Sequence, residues 1–312
     1  MVNDFAVRVV LLLSALTLLL PASANAQLIQ FSKQDLADYT SQNPFGRLPD
    51  GRPKVPDDLM ERARGLSSEE VWAVLQGKGY NNQYADGFQV LHPGKMLVGR
   101  AFTVQFMPVR GDVNDVAASK AKANGVPRLT NQTAIDMLQP GDVLVVDLFG
   151  KKVNGTMVGD NLFFYVNQAT HGGGLVVDGS VRDLDGLSEI EMPAYFRAVD
   201  PTPIGNVMLT GINVPIRIGD VTVMPGDLVV GDREGLYFIP PQFVQEVLDK
   251  ADETHIHDEW TKKKFAEGKY KSSEIYGSPT DPKLKQEYAD YLKRRLDEIH
   301  TERSSKQHEV KQ

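Results

Sequence analysis

Apolar residues cluster into runs of very different period along this chain. Val9–Leu20 reads VVLLLSALTLLL, 12 nearly continuous apolar residues behind Arg8, closed by Pro21 and followed by Ala24-Asn25-Ala26. A bilayer span needs about 20 such residues, so this run is short for one. A basic start, a short apolar stretch and small residues at −3 and −1 predict a secretory signal over residues 1–26, cleaved before Gln27. The mature protein is then expected to be secreted or periplasmic, with no membrane association after cleavage. Residues 27–58 are polar and carry Pro44, Pro49, Gly51, Pro53 and Pro56, which predicts an extended arm. Ser67-Ser68-Glu69-Glu70 before Val71, Trp72, Val74 and Leu75 is a capping box opening a helix that Gly77 closes. Strand-like runs follow at Leu97–Met107, Val143–Leu148, Leu175–Val177, Tyr195–Val199, Leu228–Val230 and Leu236–Ile239. Helical windows lie near 113–124, 131–138, 159–170 and 241–266. Strands alternating with helices predict an α/β core.

Pro-Gly precedes a strand three times, at Pro93-Gly94, Pro140-Gly141 and Pro225-Gly226. Proline fixes φ at the second turn position and glycine accepts positive φ at the third, so each pair predicts a type II turn. Beyond residue 268 the chain is lysine-rich and broken by Pro279 and Pro282. Leu284, Tyr288, Tyr291, Leu292, Leu296 and Ile299 then recur at helical spacing. That stripe predicts a C-terminal helix packed on the core or on a sister subunit.

The sequence has 312 residues, a net charge of −7 and no cysteine. Lack of cysteine excludes disulfides, thiolate zinc sites, iron–sulfur clusters and cysteine nucleophiles. The acidic balance argues against a nucleic-acid partner. His171-Gly172-Gly173-Gly174 resembles an esterase oxyanion motif, but no serine sits in the matching nucleophile elbow and the run precedes a strand, so it reads as a helix-to-strand turn. His255-Ile256-His257 lies in a charged helical window and reads as surface histidines. There is no P-loop, no H-E-x-x-H and no dinucleotide G-x-G-x-x-G.

One constellation carries chemistry. Gly159-Asp160-Asn161-Leu162 opens a predicted helix, whose free amides and positive dipole end suit an anion. Some twenty residues on, the strand at Leu175–Val177 runs into Asp178-Gly179-Ser180-Val181-Arg182-Asp183. Chemistry in α/β proteins gathers past the carboxyl ends of strands. There a guanidinium can hold a carboxylate or developing enolate, and a carboxylate can hold a hard cation that keeps several waters.

These stretches resemble the RraA-like family, which includes metal-dependent 4-hydroxy-4-methyl-2-oxoglutarate aldolases and an inhibitor of RNase E. The resemblance runs from about Leu59 to Gly268 and rests on HPGKMLVGRAFTV (92–104), QPGDVLVVD (139–147), GLVVDGSVRDLDGL (174–187), MPAYFRAV (192–199) and MPGDLVVGDREGLYFIP (224–240). It implies a swivelling β/β/α three-layer fold over residues 59–268, flanked by the arm and by a helical extension over 269–312. It also implies a homotrimer or hexamer.

By position, the resemblance implies that Asp183 binds a divalent metal, Mg²⁺ or Mn²⁺, with waters completing the shell. Arg182 matches the residue that contacts the keto acid and steadies its enolate. Gly159, Asp160, Asn161 and Leu162 match the loop that receives the substrate carboxylate, with Asp160 contacting metal-bound water. The interval from Asp160 to Arg182 is one residue longer than the family's usual spacing, so Asn161 is the alternative occupant of the acid position. An acid from the C-terminal helix of a neighbouring subunit maps to Asp258 or Glu259, with Glu259 preferred. The implied activity is a lyase that cleaves a 4-hydroxy-2-oxo acid to pyruvate, with oxaloacetate decarboxylation as a side reaction. The alternative is a non-catalytic regulator acting through protein–protein contacts.

Overall fold

A computed structural model describes residues 30–309 except Asn124 and Pro127. The expected signal segment, 1–26, lies outside the described residues. In chain order the elements are α1 (Lys33–Tyr39), α2 (Asp57–Ala63), α3 (Ser68–Gly77), β1 (Tyr84–Ala85), β2 (Gln89–Val90), β3 (Leu97–Pro108), α4 (Gly111–Ala123), α5 (Asn131–Ile135), β4 (Asp142–Lys151), α6 (Asp160–Thr170) and β5 (Leu175–Val181). There follow α7 (Leu184–Ser188), β6 (Ala194–Val199), β7 (Val207–Ile212), β8 (Ile216–Ile218), β9 (Val221–Val223), β10 (Leu228–Gly231), β11 (Leu236–Ile239), α8 (Val244–Ala266), α9 (Ser272–Ile275) and α10 (Pro282–Glu309).

The main sheet runs β1-β11-β10-β3-β4-β5-β6-β2, and β7 also pairs with β3. Its centre, β3-β4-β5-β6, is parallel. Such strands are buried on both faces, which accounts for their unbroken apolar runs. Alternate residues separate into two layers. Phe102, Val104, Leu144, Val146, Leu175 and Val177 face Phe163 and Val166 of α6 and Leu187 of α7. Val143, Val145, Val176 and Tyr195 face the β8–β9 hairpin through Ile216, Ile218, Val221 and Val223. A hairpin layer, a central sheet and a helical layer make the mixed α/β, RraA-like arrangement expected from the motifs. The hairpin is also anchored by two buried carboxylates in register on β4 and β5: Asp147 accepts from the Arg217 amide and Asp178 from the Gly219 amide. Asp178 is in turn paired with Arg197 at 2.7 Å.

Ser67 caps α3 and Glu70 returns the bond to the Ser67 amide, completing the capping box. Gly141 and Gly226 adopt φ of 81° and 89° as type II turns require, whereas Gly94 does not enter the positive-φ region, so only two of the three Pro-Gly turns have the expected form. The segment expected as an extended arm also differs. It contains α1, capped by a Ser32–Asp35 box, and Arg52, which is fully buried. Arg52 forms a bidentate pair with Asp142 at 2.8 and 2.9 Å and lies 5.0 Å above the Phe102 ring. The arm is therefore fastened into the sheet by a buried ion pair. At the other end, Leu284 and Tyr291 of α10 close over Ile256 and Trp260 of α8, with Tyr288, Leu292, Leu296 and Ile299 packed alongside. The C-terminal stripe thus covers a helix of its own chain.

Candidate functional site

The parallel strands point their carboxyl ends at the segment that carries the sequence-predicted residues. Beyond β4 the chain returns through residues 155–159, which lie against the end of β5. The Met157 amide donates to Ser180 O at 2.9 Å and the Arg182 amide to Val158 O at 3.0 Å. These two bonds bring the start of α6 onto the Arg182-Asp183 turn. Gly159 is the N-cap of α6, in extended backbone at φ −109° and ψ −173°. Asp183 caps α7 in the left-handed region, at φ 59° and ψ 47°. Aspartate tolerates that region better than most side chains, and the turn directs its carboxylate toward Gly159.

The three residues converge. A Cβ at Gly159 would stand 2.3 Å from Asp183 Oδ2 and 2.8 Å from Arg182 Nε, so no side chain fits there without displacing both. Arg182 Nε and Asp183 Oδ2 are 3.4 Å apart, with side chains 36% and 44% exposed. Two opposite charges thus share an open, solvent-facing surface at the amino end of an eleven-residue helix. Asp160 is half-buried at the first position of α6, and its side chain lies against Gly186 of α7, where a Cβ would come within 2.8 Å of Asp160 Cβ. Its Oδ1 accepts a hydrogen bond from the Asn161 amide at 2.7 Å. One of the loop amides expected to receive a substrate carboxylate is therefore engaged by the loop's own acid. Asn161 itself is exposed, and Leu162 packs partly into the core beneath the helix.

Glu259 lies elsewhere in the chain, on α8. It accepts from the Tyr291 hydroxyl at 2.5 Å and from Arg295 Nε at 3.3 Å. The Tyr291 bond, with the Arg295 charge beside it, holds the Glu259 carboxyl below its ordinary range. Asp258 pairs with Lys262 and His257 on the same helix. Within one chain the structure gathers Gly159, Asp160, Arg182 and Asp183, and joins Glu259 to α10. Gly186 falls within the 174–187 motif but is not singled out there as part of the site, and its role shows only when Asp160 is seen resting against it.

Among the described residues no three His, Cys, Asp or Glu side chains gather into a cation cluster. A cation at this site would rest on the single carboxylate of Asp183 and otherwise on water. That donor set, a half-exposed carboxylate whose neighbouring position is kept free of a side chain by Gly159, fits a hard divalent ion that retains most of its hydration.

A family model described as "RraA-like: Aldolase/RraA" matches residues 58–237, more than half of the chain. The chain belongs to the RraA-like family. Among curated relatives, a Halalkalibacterium halodurans protein named "Putative 4-hydroxy-4-methyl-2-oxoglutarate aldolase" is 36% identical over 122 residues, which cover 38% of this chain and 56% of that protein. Protein DlpA of Legionella pneumophila is 25% identical over 212 residues, covering 68% of this chain and 32% of DlpA. The chain thus spans about half, and about a third, of the length of these two relatives. Among solved structures, Streptomyces coelicolor RraAS2, described as an unusual member of the RNase ES inhibitor RraA protein family, superposes with a TM-score of 0.58 at 29% identity. That match covers 70% of this chain and 99% of RraAS2. Among the described residues no helix is long and apolar enough to cross a membrane.

The Gly159 contact makes a direct prediction. The backbone at 159 accommodates alanine, so Gly159→Ala should change folding stability by less than about 1 kcal/mol. It should nevertheless push apart Arg182 and Asp183 and lower any activity of the site by on the order of 10²-fold, the scale of a misplaced catalytic group. Thermal unfolding and turnover measured on the same preparation check both halves.

Proposed function

We propose that the protein is a divalent-metal-dependent lyase that cleaves a 4-hydroxy-2-oxo acid to pyruvate, working outside the cytoplasm as a homotrimer or hexamer. The observation that carries this reading is the convergence of Arg182, Asp183 and the α6 amino end on Gly159. The aldolase name of the Halalkalibacterium relative supports it.

The chain's own residues divide the work. The Arg182 guanidinium and the first-turn amides of α6 other than that of Asn161 bind the carboxylate of the 2-oxo acid. Asp160 takes the proton from the 4-hydroxyl as the C3–C4 bond breaks. The bonding pair moves onto the pyruvate fragment as an enolate, and the former hydroxyl carbon leaves as a carbonyl. The proton taken up by Asp160 then returns to C3, which completes pyruvate and restores the Asp160 carboxylate. Arg182 stabilises the negative charge that develops on the enolate, the largest contribution expected of such a site. Mg²⁺ or Mn²⁺ held at Asp183 supplies Lewis acidity toward the 2-oxo oxygen. Loss of CO₂ from oxaloacetate leaves the same enolate, so that acid is an expected second substrate. Glu259 of a neighbouring copy is the alternative base; within its own chain its carboxylate is held by the Tyr291 hydroxyl and Arg295.

The second reading, a non-catalytic regulator acting through protein contacts, draws on the likeness to RraAS2. A lactate dehydrogenase-coupled assay across 4-hydroxy- and 4-carboxy-2-oxo acids separates the two. The lyase predicts metal-supported, EDTA-sensitive pyruvate release from at least one acid. No release from any of them in the metal-replete protein favours the regulator.

A further inference from the structure

The two Pro-Gly-Asp turns are built alike and end differently. Asp142 Oδ2 accepts the Gln139 amide at 2.9 Å, and Asp227 Oδ2 accepts the Met224 amide at 2.8 Å. Each carboxylate thus fastens its own turn three residues back. Asp142 is then neutralised by Arg52. Asp227 is 2% exposed, and its Oδ1 accepts no hydrogen bond or ion pair among the described residues. A buried carboxylate without a counter-charge is costly.

Asp227 lines a pocket of about 280 Å³. The other walls come from segments far apart in sequence: Tyr39 at the end of α1, Tyr80 and Gln83 after α3, Thr222 of β9, and Gln242 before α8. No lysine, arginine or histidine lines it among the described residues. Tyr39 stacks on Phe31 with ring centroids 5.1 Å apart, and Tyr80 meets Phe243 edge-on at 4.9 Å, so each ring is held by a neighbouring ring. Gln83 donates its amide to Phe238 O at 2.8 Å, which leaves its carbonyl as an acceptor. The pocket therefore combines one buried carboxyl without a counter-charge, amide and hydroxyl acceptors, and two tyrosine rings among its lining residues.

We infer that this pocket binds a small organic ammonium ion, with Asp227 as its counter-ion and Tyr39 and Tyr80 against its alkyl part. An ammonium head supplies three donors and no acceptor, matching walls that offer acceptors and a negative charge. Aromatic faces attract such cations further. The carboxyl's present state agrees with this: burial pushes Asp227 up to about 7, so a cation beside it would hold it ionised. The site is separate from Arg182 and Asp183 and does not depend on the lyase reading.

The test is calorimetric titration of n-butylammonium chloride into the metal-replete protein at pH 8, beside n-butanol and sodium chloride. Saturable binding of one butylammonium per chain is expected, with n-butanol at least tenfold weaker and sodium without a comparable signal. Asp227→Asn retains an oxygen for the Met224 amide and should weaken butylammonium binding at least tenfold while unfolding no earlier than wild type. Absence of saturable binding, equal binding of n-butanol, competition by sodium at equal concentration, or unchanged binding by a folded Asp227→Asn protein would overturn the inference. If that variant does not fold, the wild-type comparison of amine with alcohol decides by itself.

Discussion

Replacing Asp183 by asparagine is expected to reduce pyruvate release by on the order of 10³-fold, about 4 kcal/mol of transition-state stabilisation. The variant should leave the fold unchanged. Asparagine is the informative choice because residue 183 sits at φ 59°, a conformation that asparagine adopts readily and alanine does not. It keeps the shape of the turn and removes only the charge. Residual activity should be insensitive to EDTA, since the carboxylate that would hold the cation is gone. Steady-state kinetics with and without chelator, beside a far-ultraviolet spectrum and an unfolding curve, read out both expectations. Wild-type turnover in Asp183→Asn would remove Asp183 from the mechanism.

The largest effect on stability is expected at Asp142. Its carboxylate and the Arg52 guanidinium are both fully buried, and the pair links the N-terminal segment to the start of β4. Among the described residues, Asp142→Ala would leave the buried guanidinium with Asp50 and the Ala101 carbonyl as its hydrogen-bond partners. Breaking such a pair from one side costs ~3–5 kcal/mol. The double variant Arg52→Met/Asp142→Leu removes both charges and should recover roughly half of that loss or more, because apolar replacement of a whole buried pair is often neutral. Denaturant unfolding of the two variants and the wild type measures this. Equal destabilisation by the single and double changes would mean that the shape of the pair, and not its charge, holds the segment.

The parts of the fold that sequence made legible are those with strong periodicity. The buried parallel strands announce themselves as apolar runs, and α3 through its capping box. The β8–β9 hairpin was within reach: Ile216-Arg217-Ile218 and Val221-Thr222-Val223 alternate around Gly219-Asp220, a two-residue turn signal, yet each strand is only three residues long. The helix at Lys33–Tyr39 has a capping box but buries Leu36 alone, so no apolar stripe marks it. The burial of Arg52 was not legible, because its fully buried partner Asp142 lies 90 residues away and an arginine beside Asp50 in a polar segment reads as a solvated pair. At the site, the neighbourhood of Arg182, Asp183 and Gly159 was what the family resemblance implied; the residues alone offered a helix start and, separately, an Arg-Asp pair past a strand end, and the structure brings the two together. The use of Asp160 Oδ1 on the Asn161 amide did not follow, because a side chain's choice between its own backbone and a ligand is decided locally.

The proposal rests on one cation at Asp183. Titrating Mn²⁺ into chelator-treated protein and following the free ion by electron paramagnetic resonance tests this without reference to turnover. One site per chain is predicted, lost in Asp183→Asn and retained in Asp227→Asn. No bound Mn²⁺ in the wild type, or an undiminished site in Asp183→Asn, would contradict it.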